Sequence, residues 1–440
     1  MVTKPSQRVV AKLISIDIEA QLPTIPAPDS GEQWLLLRLH GDPIGILPLL
    51  RAYSADELGR LLVDRFMPQI RRHLVQDGIS QGALHRLTQD LSRLATECPS
   101  RPMIREWPRV TVAVCTRDRT AQVDRCLSTL TALDYPADRL ELLIVDNART
   151  NSATEDLIRA RHPRVRYVQE PRPGLDWARN RAIIEARHEI LAYTDDDVSV
   201  DPQWVRAIAR TFVDEPEAVA ITGLVVPDAT DVAPELLFEQ YGGFGRGFTR
   251  RYYQVDVAAE STAASHGGAG KFGTGANMAF RRSLFDSIGL FDPALDVGTP
   301  THGGGDLEMF FRVLKTGHLL VYEPAAIVRH RHRREYGDLR TQLTNNGIGF
   351  YSYLVRSAAA YPDERGAFLR LGLWWFWTWN VRRLLASFSP LGKRFPRDLV
   401  LAELWGCFAG LRRYQQAKLQ VEETLRRFGL QTPAPEGHRA

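Results

Sequence analysis

The chain reads as an α/β protein whose main sheet is mostly parallel and wrapped by helices. Apolar runs at residues 110–114, 140–145, 165–168, 190–193 and 218–226 alternate with helical segments at 123–133, 177–186 and 204–212. Alternation of this kind builds a sheet covered on both faces. Polar and charged residues recur directly after successive strands, at the sheet edge where open α/β folds bind ligands.

At 440 residues the chain exceeds what one hydrophobic core usually organises, so two or three domains are expected. The boundaries predicted are a small accessory α+β unit at 1–100, the α/β domain at 109–335, a helical region at 336–430 and a disordered tail at 431–440. Within the first unit, residues 9–18 alternate as a strand. Trp34-Leu35-Leu36-Leu37-Arg38-Leu39, the turn His40-Gly41-Asp42-Pro43 and Ile44-Gly45-Ile46-Leu47 read as a β-hairpin. Ser54-Ala55-Asp56-Glu57 is a capping box opening a helix through Leu61, Leu62, Phe66 and Ile70. Cys98-Pro99-Ser100-Arg101-Pro102, with Trp107-Pro108 after it, is the expected linker.

The strand and helix rhythm stops at Pro227. Residues 241–275, rich in glycine, serine and aromatics, are too long for a simple connector and read as a mobile loop over a site. Beyond His332 the pattern is helical, with Trp374, Trp375, Trp377, Trp379 and Trp405 concentrated there. Residues 371–381 are nearly all apolar, between Arg370 and Arg382-Arg383. That run is too short to span a bilayer; it either lies in the headgroup region of a membrane or packs on the main domain. Residues 432–437 are expected to be disordered.

Hydrophobic content of 44% and charged content of 25% are those of a globular protein. A net charge of +4 is too small to imply a nucleic-acid partner. The basic stretches 329–334 and 365–397 are candidates for meeting phosphates or anionic lipid. Cys98, Cys115, Cys126 and Cys407 show no paired spacing, which points to a reducing, cytoplasmic setting. The opening MVTKPSQRVVAKL lacks the apolar core of a signal peptide.

Thr194-Asp195-Asp196-Asp197 follows the apolar run 190–193, so a buried strand ends in three adjacent acids. Such a cluster costs free energy unless a cation or hydrogen-bond donors compensate, and hard ions such as Mg²⁺ or Mn²⁺ take carboxylate oxygens alongside phosphates. The plainer reading is an acidic turn before Asp201-Pro202. Thr116 and Arg117 after the first strand can hold a ribose or phosphate, and Asp146 after the second can accept from a nucleobase or ribose. Gly174 leads into a helix whose Arg179 is placed to grip an anion, whereas Arg181 reads as a solvated residue. Gly268-Ala269-Gly270-Lys271-Phe272-Gly273 satisfies GxGxxG, but it lacks the strand-to-helix context of a dinucleotide site.

VTVAVCTRDR (110–119), LLIVDN (142–147), PRPGLDWARNRAI (171–183), ILAYTDDDVSVDPQWV (190–205), GTGANMAFRRSLFDSIGLFD (273–292), GGGDLEMFFRVLKTG (303–317) and VYEPAAIVRHRHRR (321–334) follow in order. Together they resemble the inverting family 2 glycosyltransferases of the GT-A fold, over roughly 109–335. The resemblance implies a nucleoside-diphosphate sugar donor, a UDP-sugar first among them, and a glycan or lipid-linked acceptor. Such enzymes serve cell-surface polysaccharide or glycolipid synthesis. Asp195 and Asp197 then hold Mg²⁺ or Mn²⁺ on the diphosphate, with Asp196 touching ribose or backbone. Asp306 is the general base, with Glu308 as second candidate. His330 or His332 completes the metal shell. Gly273-Thr274-Gly275 lets the backbone approach the donor sugar, and Asn277 hydrogen-bonds its hydroxyls. The acid that usually precedes the base is replaced by Gly305. The expected location is the cytoplasm, with the cytoplasmic face of a membrane as a candidate partner.

Two other readings remain at this point. A sugar-nucleotide nucleotidyltransferase normally carries a glycine-rich loop after the first strand, where this chain has CTRDR. A catalytically weak nucleotide- or glycan-binding scaffold draws support from Gly305.

Overall fold

The computed structural model describes residues 10–28, 31–80, 84, 103–256, 261–388 and 395–429. The expected linker at 98–102 and tail at 431–440 lie outside the described residues, as do Cys98, Lys393 and Arg394.

Three strands open the chain: β1 (Val10–Asp17), β2 (Glu32–Leu39) and β3 (Asp42–Leu49). β1 runs parallel to β2, and β2 and β3 form the expected hairpin. Its two turn residues, His40 (φ 53°) and Gly41 (φ 83°), are both left-handed. That is the backbone of a type I′ turn, whose twist matches the flanking strands. Helix α1 (Ala55–Gln76) starts at the capping box, in which Ser54 and Glu57 cap each other's backbone amides. Leu58, Leu62, Phe66, Ile70 and Leu74 recur every fourth residue and meet Leu35, Leu37, Leu39, Leu47 and Leu49.

The alternate residues of this small sheet face the other way. Leu13 and Leu36 pack against Leu224, Val226 and Ile327 of the main sheet. Arg38 makes a buried two-pronged pair with Asp201, and Arg329 donates to the Leu13 carbonyl at 3.1 Å. A buried arginine left without its carboxylate is expensive, so this pair fixes how the two sheets meet.

The main sheet uses nine strands: β4 (Val110–Thr116), β5 (Leu140–Asn147), β6 (Arg166–Glu170), β7 (Ile190–Asp195), β8 (Val198–Val200), β9 (Ala218–Pro227), β10 (Arg251–Tyr253), β11 (Asn277–Arg281) and β12 (Leu319–His330). Their order is β10-β12-β9-β11-β7-β4-β5-β6, with β8 beside β12. β6, β5, β4 and β7 are parallel, and β11 is inserted antiparallel between β7 and β9. Every residue of β4 is buried. Val110, Val112 and Val114 enter one core layer, and Ala113 and Cys115 the other.

The helices around this sheet are α2 (Thr120–Leu130), α3 (Ala153–Arg161), α4 (Leu175–Glu185), α5 (Trp204–Asp214), α6 (Ala233–Tyr241), α7 (Thr262–His266), α8 (Leu284–Ile288) and α9 (Gly305–Lys315). Within the described part of 241–275, β10 joins the sheet edge and α7 forms a short helix where the sequence reads as a loop.

The C-terminal part consists of α10 (Tyr336–Ala360), α11 (Arg365–Trp375), a π-helical segment (Phe376–Val381), α12 (Arg382–Ala386) and α13 (Arg397–Phe428). α10 and α13 cross at backbone contact: a Cβ at Gly410 would lie 2.6 Å from the Ile348 carbonyl oxygen. Among the described residues no helix is long and apolar enough to cross a membrane. The tryptophan stretch divides between the two expected fates. Trp374 and Trp377 are more than half exposed, while Trp375 and Trp379 turn inward and stack on each other.

Candidate active site

Five elements meet at one end of the main sheet: the carboxyl end of β7, the turn into β8, the loop before β11, the start of α9 and the end of β12. Asp195 closes β7. Its carboxyl is pushed up by burial and by Asp197, against the pull of Arg179 and His330. Asp196 turns away, accepting from Thr116 Oγ1 at 2.7 Å and Arg119 at 3.0 Å. Burial also works to raise Asp197, but the hydrogen bond and charge of His330, with Arg333 and Arg119, outweigh it and hold this carboxyl low. His330 Nε2 lies 3.4 Å from Asp197 Oδ1.

Asp306 sits in the first turn of α9. Its Oδ2 accepts the Gly275 amide at 2.8 Å, and its Oδ1 accepts the Leu307 amide at 2.9 Å. The glycine loop, the expected base and Arg179 are therefore in contact, since a Cβ at Gly275 would strike the Arg179 guanidinium. Arg179 is buried, donates to Asp176 at 2.9 Å, and lies in the field of Asp176, Asp195 and Asp306. It balances three carboxylates and is not an isolated cation waiting for an anion.

Asp195, Arg179, Asp306, His330 and Gly275 line a single cavity of about 1000 Å³. Thr116 and its partner Asp196 do not line it. Gly174, with φ 141°, opens α4 and donates its amide to Asn147 Oδ1 at 2.8 Å. Arg117 is exposed, and Asp146 is buried with Tyr167 donating to Oδ2 at 2.7 Å. Its Oδ1 has no partner among the described residues, which leaves an acceptor free. Neither Arg117 nor Asp146 lines the cavity.

Four expectations are corrected. Asn277 is not free for sugar hydroxyls: it accepts from Trp204 Nε1 at 2.9 Å and donates to the Leu224 and Ala326 carbonyls at 3.0 and 2.7 Å. It ties β11 to its neighbours instead. Glu308 is fully buried between Arg312 and Arg356, with Arg356 at 2.7 Å, and is spent as an ion-pair partner. His332 is enclosed by Phe238 and Phe244 and paired with Glu239 at 2.8 Å, so His330 is the histidine at the acidic cluster. Arg181 is buried and paired with Glu185 at 2.7 Å, not solvated.

Asp176 was not anticipated. A Cβ at Gly305 would collide with its carboxylate, so Asp176 occupies the space that a side chain at Gly305 would need. It lines the cavity beside Asp306, and its Oδ2 is buried without a hydrogen-bond partner among the described residues. Burial raises this carboxyl well above its ordinary value. The signal in the sequence is the acid inside PRPGLDWARN taken together with the glycine before Asp306.

Carboxylate oxygens with one imidazole suit Mg²⁺ or Mn²⁺, and a cation would offset both the burial and the nearby Asp197 charge that raise the Asp195 carboxyl. Asp195, Asp197 and His330 do not gather all their ligand atoms within 4.8 Å of one another. That spacing fits an ion held partly by substrate phosphates better than a closed protein cage.

Residues 111–289 match the family model of glycosyl transferase family 2. The glucosyl-dolichyl phosphate glucuronosyltransferase of Haloferax volcanii is 24% identical over 276 residues, covering 60% of this chain and 82% of that protein. The pre-mycofactocin glycosyltransferase of Mycobacterium tuberculosis is 23% identical over 265 residues, covering 60% of this chain and 50% of that one. Among solved structures, the mannosyltransferase PcManGT from Pyrobaculum calidifontis superposes over 74% of this chain and 89% of its own. Its identity is 18% and its TM-score 0.43. Residues 111–289 thus carry a family 2 glycosyltransferase domain, and the protein is a glycosyltransferase.

Proposed function

We propose that the protein transfers a sugar, with inversion, from a nucleoside-diphosphate sugar to a lipid-linked acceptor presented at a membrane surface. The observation that carries this is the shape of the cavity. It runs from Asp195, His330 and Asp306 to Leu371, Trp374 and Trp375 on α11 and to Trp379 on the π-helical segment. Leu373 and Trp377, on the same helical stretch, are 70% and 58% exposed. A polar pocket thus opens at an apolar rim, as an acceptor with a charged head and a hydrocarbon tail requires. The relative with a glucosyl-dolichyl phosphate substrate in its name supports the same class.

Asp195, Asp197 and His330 are the residues that would hold Mg²⁺ or Mn²⁺, and such an ion offsets the charge of the departing diphosphate. Asp306 takes the proton from the acceptor oxygen as that oxygen bonds to the anomeric carbon and the bond from that carbon to the diphosphate breaks. Arg179, fixed by Asp176, keeps the surrounding carboxylates from repelling the donor. The scaffold reading rested on the missing acid at Gly305, and Asp176 in that space weakens it. The nucleotidyltransferase reading lacks its glycine loop, since β4 ends in Thr116-Arg117-Asp118-Arg119.

The test is a panel of nucleotide sugars, UDP-sugars first, with Mg²⁺ or Mn²⁺ and a short polyprenyl phosphate in vesicles. Release of nucleoside diphosphate should need both metal and acceptor, and Asp197→Ala should abolish it. Turnover indifferent to chelator, or equal use of a water-soluble glycan, overturns the reading.

A further inference from the structure

The accessory unit holds a second constellation, far in sequence from the catalytic residues. His40 lies in the β2–β3 turn, His73 in the last turn of α1, and Asp77 is the residue capping that helix. His40 Nδ1 is 2.7 Å from Asp77 Oδ2, His73 Nε2 is 2.9 Å from the same oxygen, and the two nitrogens are 3.2 Å apart. Among the described residues this is the group of three whose ligand atoms all lie within 4.8 Å of one another.

As a hydrogen-bond network this triangle is crowded. If both imidazoles donate to Asp77, both N–H groups aim at one oxygen from nitrogens only 3.2 Å apart. If either nitrogen is bare, its lone pair faces a carboxylate oxygen within 2.9 Å. A cation in place of both protons removes the conflict, because all three atoms then point electron pairs at one centre. An ion at the usual distance of about 2.0–2.2 Å from such ligands sits roughly 1 Å above the plane of this triangle.

Two further features agree. His40 holds a left-handed backbone at φ 53°, in a turn that favours asparagine or glycine, and this conformation aims its ring at the end of α1. The far nitrogen of His73, Nδ1, lies 3.8 Å from Asp42 Oδ2, so a carboxylate stands on the outer side of this ring without a direct hydrogen bond to it. His73 is buried, and His40 and Asp77 are nearly so, with side chains 15% and 13% exposed.

We infer that His40, His73 and Asp77 form a binding site for a zinc-like divalent cation that clips the hairpin tip to the end of α1. The His73 and Asp77 spacing of four residues places both ligands on one helix face, and His40 comes from the turn opposite. Two nitrogens and one oxygen suit Zn²⁺, whereas the catalytic set is richer in oxygen and suits Mg²⁺ or Mn²⁺.

The experiment uses the full chain, stripped with chelator and kept in excess Mg²⁺ so that the catalytic carboxylates are supplied. Zn²⁺ should then bind with one-to-one stoichiometry by calorimetry and raise the Tm. Co²⁺ should give the intense visible bands of a four-coordinate ion. His40→Asn, which tolerates the left-handed backbone, and Asp77→Asn should each weaken Zn²⁺ binding at least tenfold and abolish the Tm rise. Their melting in chelator should stay near that of the stripped wild type. Wild-type protein that shows no four-coordinate Co²⁺ spectrum, or variants that bind Zn²⁺ as tightly as wild type, overturns the assignment. The Co²⁺ measurement needs no variant, so a folding defect cannot mask the answer.

Discussion

Asp176 and Gly305 show how two residues exchange roles across space. Neither is informative alone, but a Cβ at one meets the carboxylate of the other. Gly305→Ala should therefore destabilise the protein by about 1–3 kcal/mol through overpacking. Asp176→Ala in the same chain should recover most of that loss, measured by chemical denaturation as a double-mutant cycle. Strictly additive effects would show that the two side-chain volumes are not coupled. Asp306→Asn keeps shape and removes basicity, so kcat should fall by ~10²–10⁴ while donor affinity measured by calorimetry changes little. Turnover within a few-fold of wild type would remove Asp306 from the role of base. Residue types and their order made the acidic cluster, Asp306 and His330 legible. What sequence could not show was which polar atoms are already spoken for. Asn277, Glu308 and His332 have suitable chemistry, yet each is consumed by partners 49 to 93 residues or only four residues away in the chain.

At the scale of elements, the period-two and period-3.6 patterns located β4, β5, β6, β7 and β9, and the capping box marked the start of α1. β11 escaped because five residues carry little pattern, and only pairing with β7 and β9 makes them a strand. The C-terminal helices contain a buried acid that a helical wheel does not explain. Glu403 of α13 accepts from Tyr241 at 2.7 Å and Trp379 at 3.0 Å, with Arg383 at 3.8 Å and Cys407 nearby. Burial raises its carboxyl to about 7, against the opposing pull of Tyr241, Arg383 and Trp379. Because the folded value lies above the unfolded one, the folded state holds the proton more tightly. The stability from that proton is complete below about pH 4.5 and is lost as pH rises through 7. Glu403→Gln should flatten the decline in Tm between pH 5 and 8. An unchanged pH profile would show that Glu403 is ionised throughout.

The whole molecule presents one surface unlike the rest. Leu369, Leu373 and Trp377 follow one another at intervals of four along α11 and the π-helical segment. Leu401, Trp405 and Phe408 follow at intervals of four and three along α13, and all six are at least half exposed. The two stripes adjoin, since the Phe376 and Phe408 rings lie 5.8 Å apart. Arg370 of α11, Arg382 of α12 and Arg412 of α13 are exposed as well. A patch of this kind, with no spanning helix among the described residues, fits insertion at the headgroup level, with apolar side chains below and cations on anionic lipid. The sequence allowed both this arrangement and burial of every tryptophan, because composition does not say which side of a helix meets the core. The expected result is co-sedimentation with anionic vesicles at low salt, weakening as salt screens the arginines. Leu373→Glu with Trp377→Glu should abolish that binding. Exposed positions tolerate substitution within about 0.5 kcal/mol, so the Tm should hold nearly constant. If the tryptophans instead completed a core, the double variant would melt early in the absence of lipid. Failure of the wild type to bind anionic vesicles at low salt would leave the cavity without a membrane to open onto.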